Sequence, residues 1–305
     1  MDTSGLRLFV LAADKLNISA AGRDLGLAPA VASARLAKLE RTLGADLFHR
    51  STRKVALSLE GAEFLPYARE MLAQEDAALA ALGRGQSAAK GVLRFTAPSS
   101  FSQLYIAPIL PDFLALHPGV TLDLRLSDTR YDLIEGSFDL ALRNSPLEDS
   151  AIMGRKLADD RRVLCAAPSY LERMGTPKHP LDLSDHNLVA FRDQTARPIS
   201  GPEGPAGHLD PRQSPCRLIV DDGMTLKQAT VSGAGISMNS LWSVHRELLE
   251  GSLTRVMPDF EVADQSVLWL YYPKTNVLSS KVRAFMDFLL ERIGRSPAWN
   301  AHPRS

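Results

Sequence analysis

Residues 17–44 read NISAAGRDLGLAPAVASARLAKLERTLG, and the punctuation of this stretch decides the fold of the amino-terminal part. Ser19 is expected to cap a short helix running through Leu25. Gly26 is placed to end that helix in a left-handed conformation, which other residues resist. Pro29 then occupies a natural first helical position, where its missing N–H leaves nothing unsatisfied. Apolar residues recur at Ala32, Leu36, Leu39 and Leu43, the spacing of one helix face, and Gly44 stops the run. A helix, a short turn containing glycine and a longer helix form the helix-turn-helix pattern. The outer face of the longer helix begins small, with Pro29 and Ala30, and continues with Ser33, Arg35 and Lys38. Small residues let a helix tip enter the major groove of DNA, where Ser and Arg reach base edges.

The flanks extend the pattern. Upstream, Leu6, Phe9, Val10 and Ala13 form one buried stripe of a first helix. Downstream, residues 46–50 and 55–57 read as two short strands, with Arg50, Ser51, Thr52, Arg53 and Lys54 between them. Hydroxyls and cations on a hairpin tip make a wing suited to phosphate contact. Ser19 and Arg23 complete the expected DNA-facing set. The whole chain of 305 residues has a net charge of +0, but residues 1–60 hold nine basic and six acidic side chains. A basic head on a slightly acidic body fits a protein that touches phosphate at one end only.

Residues 59–82 are rich in Ala, Leu, Glu and Arg, and Leu65, Ala68, Leu72, Leu79 and Leu82 make an apolar stripe. A lone amphipathic helix between domains is expected to pair with a second copy, giving a dimer, the alternative being a helix that lies along the body of its own chain. Pro66 is expected to kink it or make its first turn irregular, and residues 83–87 to end it as a flexible joint.

The body alternates strands and helices. Residues 92–96 form a strand followed by Ala97-Pro98-Ser99-Ser100, and a helix carries Leu104, Ile109, Leu110, Phe113 and Leu114. Strands at 120–126 and 140–143 and a short helix from Tyr131 complete a β-α-β-α-β unit. The theme repeats at residues 163–169, with further strands at 188–191, 217–220 and 236–238, and a last strand and helix at 267–272 and 281–292. The Pro/Gly-rich stretch 197–215 reads as a surface excursion. The fold class is therefore α/β overall, with a winged helix-turn-helix head, a long helix and two Rossmann-like lobes.

With its ordered landmarks Phe9, Ser19-Ala20-Ala21, Leu25-Gly26-Leu27, Ser33, Leu39-Glu40, Leu43-Gly44, Leu47-Phe48, Arg50 and Gly61, the chain resembles the LysR-type transcriptional regulators. It departs from them at Ala28, where the family usually has a serine cap, and at Leu16-Asn17, Ala32 and Ser58. The resemblance implies a head at 1–58, a dimerisation helix and joint at 59–90, and a first lobe at 91–161 and 267–293. It places a second lobe at 162–266, and a flexible tail is expected at 294–305. The lobes would resemble a periplasmic-binding-protein fold, joined by crossovers near Arg162 and Gln265. The expected partners are double-stranded DNA with an interrupted palindromic operator, an anionic small-molecule effector, further copies of the chain as dimer or tetramer, and RNA polymerase.

The crevice of such lobes lies at the carboxyl ends of the strands. Ser99, Ser100, Phe101, Arg143, Phe191, Asp222 and Met224 are its expected lining by resemblance. Each polar member also has a plainer reading: helix caps for Ser99, Ser100 and Asp222, and a structural salt bridge for Arg143. Gly233-Ala234-Gly235 reads as a turn and lacks the spacing of a dinucleotide loop. The histidines show no metal-ligand spacing, there is no nucleophile elbow, and neither cofactor nor enzymatic activity is expected. Cys165 and Cys216 keep a redox-responsive regulator as an alternative, and the two-lobed body keeps a solute-binding protein. No signal segment or membrane span is read, so a cytoplasmic protein is expected.

Overall fold

The computed structural model describes residues 2–49, 55–81, 89–128, 138–144, 152–192, 194–212, 214–262, 266–274 and 278–300. The chain divides into two compact units. One is Met1–Val92 with His117–Thr121 and Thr275–Ala284; the other is Leu93–Leu116 with Leu122–Lys274 and Phe285–Ser305.

The first unit is built on α1 (Thr3–Lys15), α2 (Ile18–Asp24), α3 (Pro29–Leu43) and α4 (Leu59–Ala81). Leu6, Leu8, Phe9, Ala12, Ala21, Ala32, Leu36 and Leu39 close its core. Burial of each large member is worth about 1.5–3 kcal/mol. The cap of α2 is Asn17, whose side chain accepts from Ala20 N at 2.9 Å. Ser19 is therefore inside the helix, a correction that follows from Asn17 being extended and two residues earlier. Gly26 (φ +67°) does end α2 left-handed, and Gly44 (φ +71°) does the same for α3. Pro29 is the first residue of α3 behind Ala28, which offers no side-chain cap. Where α2 meets α3, a Cβ on Gly22 would lie 2.7 Å from that of Ala32, which accounts for glycine at this crossing.

The expected wing strands reduce to a single antiparallel bridge, Phe48 to Leu57, flanked by His49 N donating to Ala56 O and Ser58 N to Leu47 O. Glu40 Oε1 accepts from Leu47 N at 2.8 Å and so fastens this hairpin to α3. Its tip, Arg50 to Lys54, lies outside the described residues. Ser58 Oγ accepts from Gly61 N at 2.9 Å and caps α4. A Cβ on Gly61 would lie 2.0 Å from Leu47 O, which accounts for glycine there.

Pro66 sits inside α4 without ending it. Leu65 and Ala68 are buried in the head's own core, with Leu72 packed against it, while Leu79 stays 44% exposed. Leu65 and Ala68 are thus removed from the stripe offered to a partner helix, because α1 already covers them. Arg69–Asp14 (2.9 Å) and Arg7–Glu75 (2.8 Å) tie α4 along α1. Leu82 and the joint at 83–87 lie outside the described residues.

The first lobe, most of which belongs to the second unit, contains β1 (Gly91–Ala97) and α5 (Ser99–Phe101), which runs on through a π turn and a 3-10 turn into α6 (Leu110–Leu116). It continues with β2 (Val120–Leu126), β3 (Leu140–Arg143) and β4 (Ile152–Asp159). The sequence reading missed β4, whose residues do not alternate between buried and exposed. The helix expected from Tyr131 lies outside the described residues. The second lobe holds β5 (Arg162–Ala166), α7 (Pro168–Met174), β6 (Leu188–Phe191), β7 (Arg197–Gly201), β8 (Gly204–Leu209) and β9 (Cys216–Val220). It is completed by α8 (Gly223–Val231), β10 (Ile236–Ser240), α9 (Leu241–Glu250), β11 (Thr254–Arg255) and β12 (Glu261–Val262). The chain then returns as β13 (Val267–Pro273) and α10 (Ser280–Leu289).

The sheets are ordered β2-β1-β3-β13-β4 and β11-β5-β10-β6-β9. Each has a parallel part, and β13 and β5, the strands that arrive through a crossover, run antiparallel to their neighbours. The two crossovers are stitched together where Asp160 N donates to Ser266 O at 3.0 Å; residues 263–265, including Gln265, lie outside the described ones. Two expectations fail here. The stretch from 197 is a hairpin, β7–β8, which joins β12 in a third sheet and buries Ile199 and Leu209 in the lobe core. The tail is anchored: Trp299 is 1% exposed, stacks edge-on to Tyr105 at 4.9 Å, and donates from Nε1 to Asp159 O. Residues 301–305 lie outside the described ones.

Candidate functional site

The carboxyl ends of β1, β2, β3, β6, β9 and β10 converge on one cleft between the lobes, as expected for open α/β sheets. Its cavity is about 290 Å³, small for a ligand pocket. The first lobe contributes Ser100, Ser127, Asp128, Arg143 and Asn144. The second contributes Phe191, Arg192, Gln194, Arg197, Leu226, Asn239, Ser240, Trp242 and Ser243, with Arg162 at the crossover. Among the described residues, four guanidinium groups thus face one carboxylate.

The lobes are latched beside this cavity. Ser99 Oγ lies 2.7 Å from Oδ2 of Asp128 and 2.7 Å from Oδ2 of Asp222, which belongs to the other lobe. Asp128 also accepts from Ser99 N (2.8 Å) and from Gly223 N (3.3 Å). Burial would raise the Asp222 carboxyl, yet hydrogen bonds from Ser99 and from Thr225 N and Oγ1 hold it below the ordinary value. A Cβ on Gly223 would come 2.8 Å from Ser100 Oγ, so the lobes touch closely.

Of the expected lining residues, Ser100, Arg143 and Phe191 face the cavity. Ser99 and Asp222 form the latch, and Asp222 also caps α8 through Thr225 N at 2.7 Å. Phe101 is a correction: it is 0% exposed and packs against Trp242 and Trp299 in an aromatic cluster. Met224 does not line the cavity, which its neighbours Gly223 and Leu226 do. Asp128, Asn239 and Trp242 were missed, although each lies at or just past a strand end and the same rule would have found them. Arg197 carried no sequence signal, because only the fold of its hairpin brings it to the cleft.

Arg143 donates to Leu142 O (2.7 Å) and Thr96 Oγ1 (3.1 Å). Burial pushes its guanidinium down to about 10, and Asp128 opposes that shift. Cys165 is 0% exposed and burial pushes its thiol up to about 12. Between Cys165 on β5 and Cys216 on β9 stand β10 and β6. Three strand spacings are about 14 Å, too far for a disulfide.

On the head, Arg23 of α2 and Pro29, Ala30, Ser33 and Lys38 of α3 are exposed, and Arg35 is half-buried. No described helix is long and apolar enough to cross a membrane.

Residues 3–62 match the bacterial regulatory helix-turn-helix proteins of the lysR family, and residues 86–294 match the LysR substrate binding domain. The chain is 33% identical to an HTH-type transcriptional regulator of Xanthomonas campestris over 96% of its length and 86% of the relative. It is 30% identical to DmlR of Escherichia coli over 93% of its length and 92% of that protein. The solved structure of CrgA, a LysR-type regulator from Neisseria meningitidis, superposes with a TM-score of 0.60 at 27% identity over 95% of this chain and 98% of CrgA. Full-length AphB, the Vibrio cholerae virulence activator, shares the fold with a TM-score of 0.61 at 23% identity, covering 96% of this chain and 100% of AphB. The chain belongs to the LysR-type transcriptional regulators. It is a DNA-binding regulator with an effector-binding domain, in a family of regulators and not of enzymes.

Proposed function

We propose that promoter binding by this regulator is set by a small anionic molecule held between the lobes, and that the tip of α3 reads the operator. The cleft carries the reading: four arginines and one aspartate line a small cavity beside a latch that joins the lobes. A ligand seated there favours one degree of lobe closure over another, and only such a difference can be transmitted. Ser33 and Arg35 on α3 supply base contacts, while Arg23, Lys38 and the wing residues Arg50 to Lys54 hold phosphates. The regulator acts in the cytoplasm as a dimer or a pair of dimers on interrupted two-fold sites, with RNA polymerase as a further partner. Leu79 is the one described stripe residue that remains open to a partner helix.

The test is selection of genomic fragments by the purified full chain, beginning with the intergenic region beside its own gene. Retention of discrete fragments with two-fold symmetry is expected, with retention altered by a small-molecule extract. Binding of all fragments as weakly as bulk competitor DNA would overturn the reading.

A further inference from the structure

The effector's chemistry can be taken further than its charge, on the reading of the cleft as the effector site. Two of the four arginines in its wall are answered by acids. Arg162 pairs with Asp160 at 3.3 Å, and Arg192 lies 3.8 Å from Asp221. Asp128, the one acid among the described wall residues, is occupied by Ser99 and Gly223. Arg143 spends two donors on neutral oxygens, and Nε of Arg197 is buried without an acceptor. Neither of these two forms an ion pair among the described residues. Desolvated guanidinium groups are unfavourable without a counter-charge, and a carboxylate matches their fork with two parallel bonds.

The two stand on opposite lobes. Arg143 ends β3 of the first, and Arg197 begins β7 of the second, on a hairpin fixed by the buried Ile199. The wall between them includes Phe191, Leu226 and Trp242, whose apolar surfaces suit a short carbon chain, and the indole Nε1 of Trp242 is a further buried donor without an acceptor. A monocarboxylate would leave one arginine unanswered.

We infer that the effector is a small dianion, typically a short dicarboxylate, with one acid group on Arg143 and the other on Arg197, bridging the lobes.

The full-length protein is titrated by calorimetry and thermal shift with succinate, glutarate and adipate. Butyrate, dimethyl succinate and inorganic phosphate serve as comparisons. At least one dicarboxylate is expected to bind about tenfold or more tightly than butyrate, the loss of one charged fork. Arg143→Gln and Arg197→Gln should each reduce that dicarboxylate to the butyrate level, whereas Arg155→Gln, at an exposed ion pair with Asp287 outside the cleft, should change affinity by less than about threefold. Melting of the unliganded variants establishes that they fold, and Arg197→Lys, which keeps charge and loses the fork, should fall in between. Equal binding of butyrate and the dicarboxylates, phosphate binding as tight as theirs, wild-type affinity in Arg197→Gln, or no dicarboxylate binding would each overturn the inference. If dicarboxylates fail while operator fragments are still retained, the inference falls and the regulator reading stands. If they bind and no fragment is retained, the regulator reading falls.

Discussion

The tip of α3 and the cleft between the lobes both present cations, in opposite states of hydration. On the head, Arg23 and Lys38 are exposed, where a cation stays hydrated and screened by counterions. In the cleft, Arg143 is desolvated enough to lower its pKa, and Arg197 keeps a buried, unanswered donor. The first arrangement suits a long, uniform polyanion and responds to salt; the second suits a small anion of defined shape and responds weakly to salt.

The largest expected effect tests what keeps the cleft rigid. Trp299→Ala removes a buried ring that backs Phe101 and, through it, Trp242 of the cleft wall. Such a deletion should destabilise the effector-binding part by about 3–5 kcal/mol in denaturant unfolding and leave operator affinity at saturating folded protein unchanged. Gly61→Ala should destabilise the head by about 1–3 kcal/mol or more, because its methyl would meet Leu47 O. Lys38→Ala should flatten the plot of log affinity for DNA against log salt by about 1 for the phosphate it no longer neutralises, and leave effector titrations unmoved. An equal change in both would erase the contrast. Ser33→Ala should shift operator preference by about 1 kcal/mol in competitive selection, with little change in salt slope.

The latch adds a pH dependence. The Asp222 carboxyl lies below its ordinary value in the folded protein, so its stabilisation is present at neutral pH and lost as pH falls through the folded value. Asp222→Asn should therefore lower the melting temperature at pH 7 by more than at pH 3. The same loss at both pH values would place the effect in packing.

Local chemistry made the head legible. Gly26, Pro29 and Gly44 fix helix ends through their own backbone preferences, so their roles can be read without knowing the neighbours. Leu65 and Ala68 misled because an apolar stripe says that a helix is covered and not by what; here α1 arrives first. Phe101 misled for a related reason, since one residue along from Ser100 a helix turns its side chain from the cleft into the core. Strand ends announced Ser100, Arg143 and Phe191, whereas Arg197 reaches the cleft only through the pairing of β7 with β8 and the burial of Ile199. Residues 294–300 looked like a tail because a single tryptophan has no periodicity to betray its anchor.

The approach of Gly61 to Leu47 O leaves no space even for a methyl group, and two ion pairs hold the following turns of α4 along α1. The start of that helix and the DNA-reading domain are therefore a single rigid lever. A rotation of the first turns of α4 would carry the helix-turn-helix with it, because the two share one core.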